Sequence, residues 1–125
     1  MGRLTGDLKG RTLRFGATAL DAVAKLPNEV RGWIIGKQLG RAATSIGANV
    51  WEADAALTDS EFAHKISIAR KEACETEYWL DLARTAELLP LETYTPLVGE
   101  AKELAKIPGA IVRKTQEYIR GSKGQ

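Results

Sequence analysis

One cysteine and one histidine stand in the 125 residues, and their scarcity closes off several kinds of chemistry. Cys74 cannot form an internal disulfide or a cysteine-rich metal site by itself. Lying between Ala73 and Glu75 beside an apolar helical stripe, it is expected to be buried or half-buried. Di-metal centres in helical bundles need inward carboxylates and two Glu-x-x-His pairs, whereas Glu61-Phe62-Ala63-His64 supplies that spacing once. No apolar run is long enough to cross a bilayer. The opening MGRLTGDLKGRTLRF lacks the basic region and uninterrupted apolar core of a secretory signal, so a cytoplasmic protein with no membrane partner is expected. The glycines never fall into a GxxxxGK[ST] loop, and no strand–helix alternation accompanies them. Ser45 has no base that the sequence assigns to it. No catalytic residue, metal or cofactor is therefore expected.

What is present suits one soluble domain over residues 1–125, with a frayed tail at 121–125: 44% of residues are hydrophobic and 27% charged. The net charge of +2 is segmental, with +3 over residues 1–57, −4 over 58–92 and +3 over 93–125. A middle segment of opposite sign favours specific packing within or between subunits over a uniformly basic face.

Four helical patterns follow one another. From about Asp7 to Leu26, apolar residues from Leu8 through Phe15, Ala19 and Ala22 share one side, and Pro27 ends the run. Asn28 is placed to cap the second pattern, which extends from about Glu29 to Ala56. Its seam is Ile35, Leu39, Ala42, Ile46, Asn49 and Ala53. Gly32, Gly36, Gly40 and Gly47 each cost roughly 1 kcal/mol in a helix interior, which reads as close helix packing rather than helix breaks. Thr58 and Glu61 form a capping box opening the third helix, which runs to about Leu89, where Pro90 closes it, with an inward stripe from Phe62 to Ala83. A fourth helix begins near Thr93 or Pro96, and Pro108 and Gly109 interrupt it. Short connections between four amphipathic helices imply an all-α, antiparallel up-and-down four-helix bundle.

Gln38, Arg41, Ser45, Asn49 and Glu52 of the second helix, with Lys65, Glu72 and Glu75 of the third, lie at helical spacing next to the apolar sides. They are expected to form a structural polar network rather than a catalytic centre; a carboxylate-based metal enzyme is the competing reading. If Glu72 neutralises a buried partner, its replacement by Gln should cost roughly 3–5 kcal/mol. Arg11, Arg14, Arg31, Lys37 and Arg41 are the candidate phosphate contacts. Trp33, Trp51 and Trp79 are expected in the core, with an intersubunit pocket as the alternative for each.

The residues Q38-L39-x-R41-A42-A43-x-S45-I46-x-x-N49-V50-x-E52-A53 resemble the four-helix bundle family encoded in 23S rRNA intervening sequences. D7-L8-x-x-R11-T12-L13, L26-P27 and F62-x-x-K65-I66-x-I68-A69-x-K71-E72-A73-x-E75-T76-x-Y78-W79-L80 carry the same resemblance, which spans most of residues 7–89. A more distant likeness is to the accessory protein of diversity-generating retroelements, a basic pentamer that works with reverse transcriptase and nucleic acid. The resemblance implies an antiparallel four-helix subunit, commonly assembled as a ring-like pentamer. The expected function is a noncatalytic homo-oligomeric interaction module contacting RNA or a nucleoprotein. A protein-only scaffold is the alternative.

Overall fold

Three helices have both ends within the described residues: α1 over Leu8–Ala24, α2 over Val30–Asp54 and α3 over Asp59–Thr85. The computed structural model describes residue 4 and residues 6–106, and a fourth helix, α4, occupies 91–106. There is no strand among the described residues. The Pro108–Gly109 break and the 121–125 tail lie outside them.

The order along α2 sets the direction of its neighbours. Gly47 of α2 lies against Thr12 near the start of α1, and Gly36 against Val23 near its end. Glu52 pairs with Lys65 near the start of α3, and Arg41 with Glu75 further along. Both neighbours therefore run antiparallel to α2. Arg11 to Glu100 ties α4 to α1, and Tyr94 to Asp81 ties α4 to α3, closing an all-α four-helix bundle.

The helix ends follow from local chemistry. Thr58 Oγ1 accepts the Glu61 amide at 3.0 Å, the forward half of the capping box. Glu61 returns its carboxylate to the Leu57 amide at 3.2 Å, one residue before the one a full box would use. Glu29, rather than Asn28, occupies the N-cap of α2, with no side-chain cap bond. α3 ends at Thr85, four residues before the expected Leu89. The Leu88 amide donates to the Ala83 carbonyl and the Glu87 amide to Arg84, a Schellman closure with Glu87 at φ 60° where glycine is usual. Leu88 and Leu89 are then buried in the connection instead of a final helical turn. α4 starts at residue 91, two residues before Thr93. Pro96 sits inside it on the exposed side, where water can satisfy the carbonyl that loses its amide partner.

Leu39, Ile46 and Val50 of α2 are fully buried, as are Ile66 and Leu80 of α3 and Leu104 of α4. Val50 takes the place expected for Asn49. Asn49 is half-buried and donates from Nδ2 to the Ser45 carbonyl at 2.8 Å, so the seam is apolar through that turn. Thr12 and Thr76 are buried without polar cost because each hydroxyl donates to a carbonyl of its own helix, Lys9 and Glu72 respectively. Cys74 is exposed, contrary to expectation, because it points away from the core while its neighbour Ala73 occupies it.

Candidate interaction surfaces

The polar stripe lies between α2 and α3 and divides into two linked groups. Arg41 is the centre of the first. Its Nη2 donates to Glu75 at 2.5 Å and its Nη1 to Glu72 at 3.3 Å, while its Nε donates to Gln38 at 3.3 Å. Trp79 donates its indole N–H to the same Glu75 carboxylate at 3.2 Å. In the second group, Lys65 reaches Glu52 at 2.8 Å. Ser45 and Asn49 lie between the two groups and bond only to carbonyls of α2.

The first group is not a buried ion pair. The Arg41 side chain is 45% exposed, against 15% for Glu72 and 35% for Glu75. Removing one partner therefore leaves no stranded buried charge. Glu72→Gln is expected to cost about 0.2–1 kcal/mol, the range of exposed pairs, rather than the figure for a buried one. A denaturant midpoint shifted by several kcal/mol would contradict this.

Hydrogen bonds from Arg41, and after it Trp79, hold the Glu75 carboxyl below its ordinary value of 4.5. A depressed folded-state pKa contributes stability above the unfolded-state value, and that stability is lost as pH falls through the folded one. Trp79 emission, read with the other two tryptophans replaced by Phe, should change with an acid midpoint below 4.5. A midpoint at or above that value would contradict the assignment.

Of the candidate phosphate contacts, Arg11 and Arg14 line one depression between α1 and α4, while Arg31, Lys37 and Arg41 are on α2. Arg11 makes a two-pronged contact with Glu100 at 2.7 and 2.6 Å. Arg14 pairs with Asp7 at 2.8 Å, and Arg31 with Glu29 at 2.8 Å. Arg41 is held by the two glutamates of α3. Lys37, on the outer side of α2, is the only one of the five with no such partner among the described residues. Among the described residues, no three His, Cys, Asp or Glu side chains converge as a metal site, and every buried side-chain nitrogen or oxygen has a partner. His64 and Glu61 are both exposed.

Two tryptophans expected in the core are on the surface instead. Trp33 is 59% exposed and donates its indole N–H to Asn28 Oδ1 at 2.8 Å, which occupies the oxygen expected to cap α2. Trp51 is 45% exposed, donates to the Lys9 carbonyl at 3.1 Å, and has the Lys9 ammonium 4.3 Å from its ring centre. Trp79 is half-buried against the core, edge-on to Tyr78.

Trp51 closes one end of a groove of about 430 Å³ between α1 and α2. Its walls are Leu13 and Leu20, 61% and 50% exposed, and its floor is small: Gly16, Ala17, Gly47 and Ala48. Six of the nine exposed large hydrophobic side chains among the described residues lie on these two helices. Three of them, Leu13, Leu20 and Trp51, line the groove together. The sequence signal was a second stripe on the first helix, Leu13, Ala17, Leu20 and Ala24, spaced by four, three and four on the side opposite Leu8, Phe15 and Ala19. It went unread because the inward stripe already accounted for the helix.

Comparison with known proteins agrees with this architecture. A crystal structure of a protein of unknown function from the S23 ribosomal protein family of Bacteroides thetaiotaomicron superposes with a TM-score of 0.78 at 36% identity, covering 83% of this chain and 96% of that one. No curated protein matches the sequence. The family model described as 23S rRNA-intervening sequence protein matches residues 11–110, most of the chain. The chain accordingly belongs to the 23S rRNA-intervening sequence protein family.

Proposed function

We propose that this protein is a noncatalytic interaction module that works as a homo-oligomer. The observation that carries the reading is the apolar groove of α1 and α2, an outer surface where a solvated face would carry charges. Of the two versions of the module, the protein-facing scaffold has more support than the RNA-facing one. Four of the five basic residues that could meet phosphate are already paired with carboxylates, which offset the positive charge they would present to it. The ring of five implied by the family resemblance is one arrangement that such copies could take.

Light scattering on the intact chain, eluted alone and with a structured RNA at physiological ionic strength, tests this reading. A mass that is a multiple of 13.6 kDa, with the RNA eluting separately, is the expected result. A 13.6 kDa particle at every concentration would overturn it. Co-elution with RNA that weakens steeply with added salt would transfer the function to nucleic acid.

A further inference from the structure

We infer that a pocket at the turn between α1 and α2 binds a small aromatic carboxylate, with the ring of the ligand against Trp33 and its carboxylate on the Lys37 ammonium. The site goes beyond the homo-oligomer reading and does not rest on it: Trp33 lies about 27 Å along α2 from Trp51, which closes the apolar groove. Leu26, Pro27 and Asn28 of the turn form one side of the pocket, and Trp33 and Lys37, one helical turn apart on α2, form another. Gly32 and Gly36 also line it. An added Cβ at Gly32 would strike the Pro27 carbonyl, and one at Gly36 would lie 3.3 Å from Val23 and 3.4 Å from Leu26, so turn and helix are pressed together there. The volume of about 330 Å³ is at the small end for ligand pockets, room for one ring and a short chain.

The polar atoms decide the charge of the ligand. Trp33 spends its indole N–H on Asn28 Oδ1, which holds the ring in place while more than half of the residue stays exposed. The same bond occupies the Asn28 acceptor and leaves Nδ2 as a donor with no partner among the described residues. Lys37 is exposed and has no ion-pair partner among them either. The unpaired side-chain polar atoms of the pocket are therefore both donors, and they select an acceptor that carries negative charge. The far end of α2 shows the same combination completed within the chain. There the Lys9 ammonium lies 4.3 Å from the centre of the Trp51 ring and pairs with Asp54 at 3.2 Å. At Trp33 and Lys37 no carboxylate of the described residues takes the part of Asp54, and the ligand supplies it. Its apolar body follows from the exposed Trp33 ring beside Pro27 and Leu26, surfaces that favour a flat ring.

The test is a titration of the isotope-labelled full chain with hydrocinnamate, read by nuclear magnetic resonance at the amides of Gly32 and Gly36. The amides of Gly16 and Gly47, which line the groove, are the controls. Saturable shifts at Gly32 and Gly36 alone, half-maximal in the millimolar range, are expected for a ligand of this size. Hydrocinnamamide keeps the ring without the charge, and propionate keeps the charge without the ring. Each should bind about fivefold more weakly or worse. Lys37→Gln should weaken hydrocinnamate about fivefold and leave hydrocinnamamide unchanged, and Lys37→Arg should restore the parent affinity. Trp33→Leu should weaken both aromatic ligands. Both side chains are on the surface, and circular dichroism should show each variant folded. Absence of shifts, shifts as large at Gly16 and Gly47, equal binding of acid and amide, or a Lys37→Gln variant that binds as the parent does each overturn the site. None of these results depends on the sedimenting mass, so the homo-oligomer reading stands or falls separately.

Discussion

Leu39→Ala is expected to remove about 2–5 kcal/mol of stability, a large share of the roughly 5–15 kcal/mol that holds a domain of this size together. Leu39 has no exposed surface and sits in the middle of α2, the helix packed against both α1 and α3. Truncation removes the transfer free energy of its side chain and leaves a void, since backbones held by neighbouring turns collapse only partly. Fully buried Ala42 and Ala43 lie one turn further along the same helix, and side chains that small cannot swing in to fill the space. Chemical denaturation at fixed protein concentration should show a lower midpoint with an unchanged slope. A loss below about 1 kcal/mol would mean that the site repacks and that the seam of α2 is looser than its burial indicates.

Gly32→Ala is the second large effect, and its sign opposes helix propensity. Alanine is favoured over glycine in a helix interior by about 1 kcal/mol. At Gly32, however, an added Cβ would lie 2.0 Å from the Pro27 carbonyl oxygen and 3.0 Å from its carbon. Those are backbone atoms of the turn that joins α1 to α2, so the clash cannot be relieved by turning a side chain. The same carbonyl accepts the Glu29 amide at 2.9 Å, and moving it away loosens that bond. A net loss of about 1–3 kcal/mol is expected, within the range for overpacked sites. Gly40→Ala in the same helix is the control. Its Cβ would meet Leu20 at 3.7 Å and Val23 at 3.9 Å, ordinary contacts, and the substitution should be neutral or stabilising by up to about 1 kcal/mol. Equal effects at the two positions would contradict the packing described.

The contrast between these glycines shows what was legible in the sequence. Periodicity identified four helices, the inward stripe of α3 from Phe62 to Ala83 and the close approach at Gly47, because each depends on spacing within one helix. Whether a given glycine is forced depends on what crosses it: Gly32 faces a carbonyl of the preceding turn, and Gly40 faces two movable side chains. The end of α3 was misplaced for a related reason. Proline was the visible stop signal, whereas the actual stop is a left-handed Glu87, a conformation that glutamate composition does not announce.

The candidate surfaces were harder still. The polar stripe was visible as a pattern, but its exposure was not. Arg41 could have been a buried cation, and only the packing of α2 on α3 shows that it reaches the two glutamates from the solvent side. The arginines looked available for phosphate because their partners, Glu100 above all, are distant in the chain. Tryptophan's size argued for the core, yet Trp33 and Trp51 each find an oxygen at the surface for the indole N–H and leave much of the ring exposed. On the proposed reading, the Trp51 ring beside the groove is covered when copies assemble.

Collisional quenching of Trp51 across a range of protein concentration tests that account most directly, with Trp33 and Trp79 replaced by Phe so that one fluorophore reports. At low concentration the ring, 45% exposed at the end of the groove, should emit as a solvated indole and be readily quenched by acrylamide. As sedimentation shows the mass rising above 13.6 kDa, its emission should shift to shorter wavelength and its quenching should fall in parallel. If the mass rises while Trp51 remains as quenchable as in the monomer, copies meet elsewhere and the groove is not the assembly face.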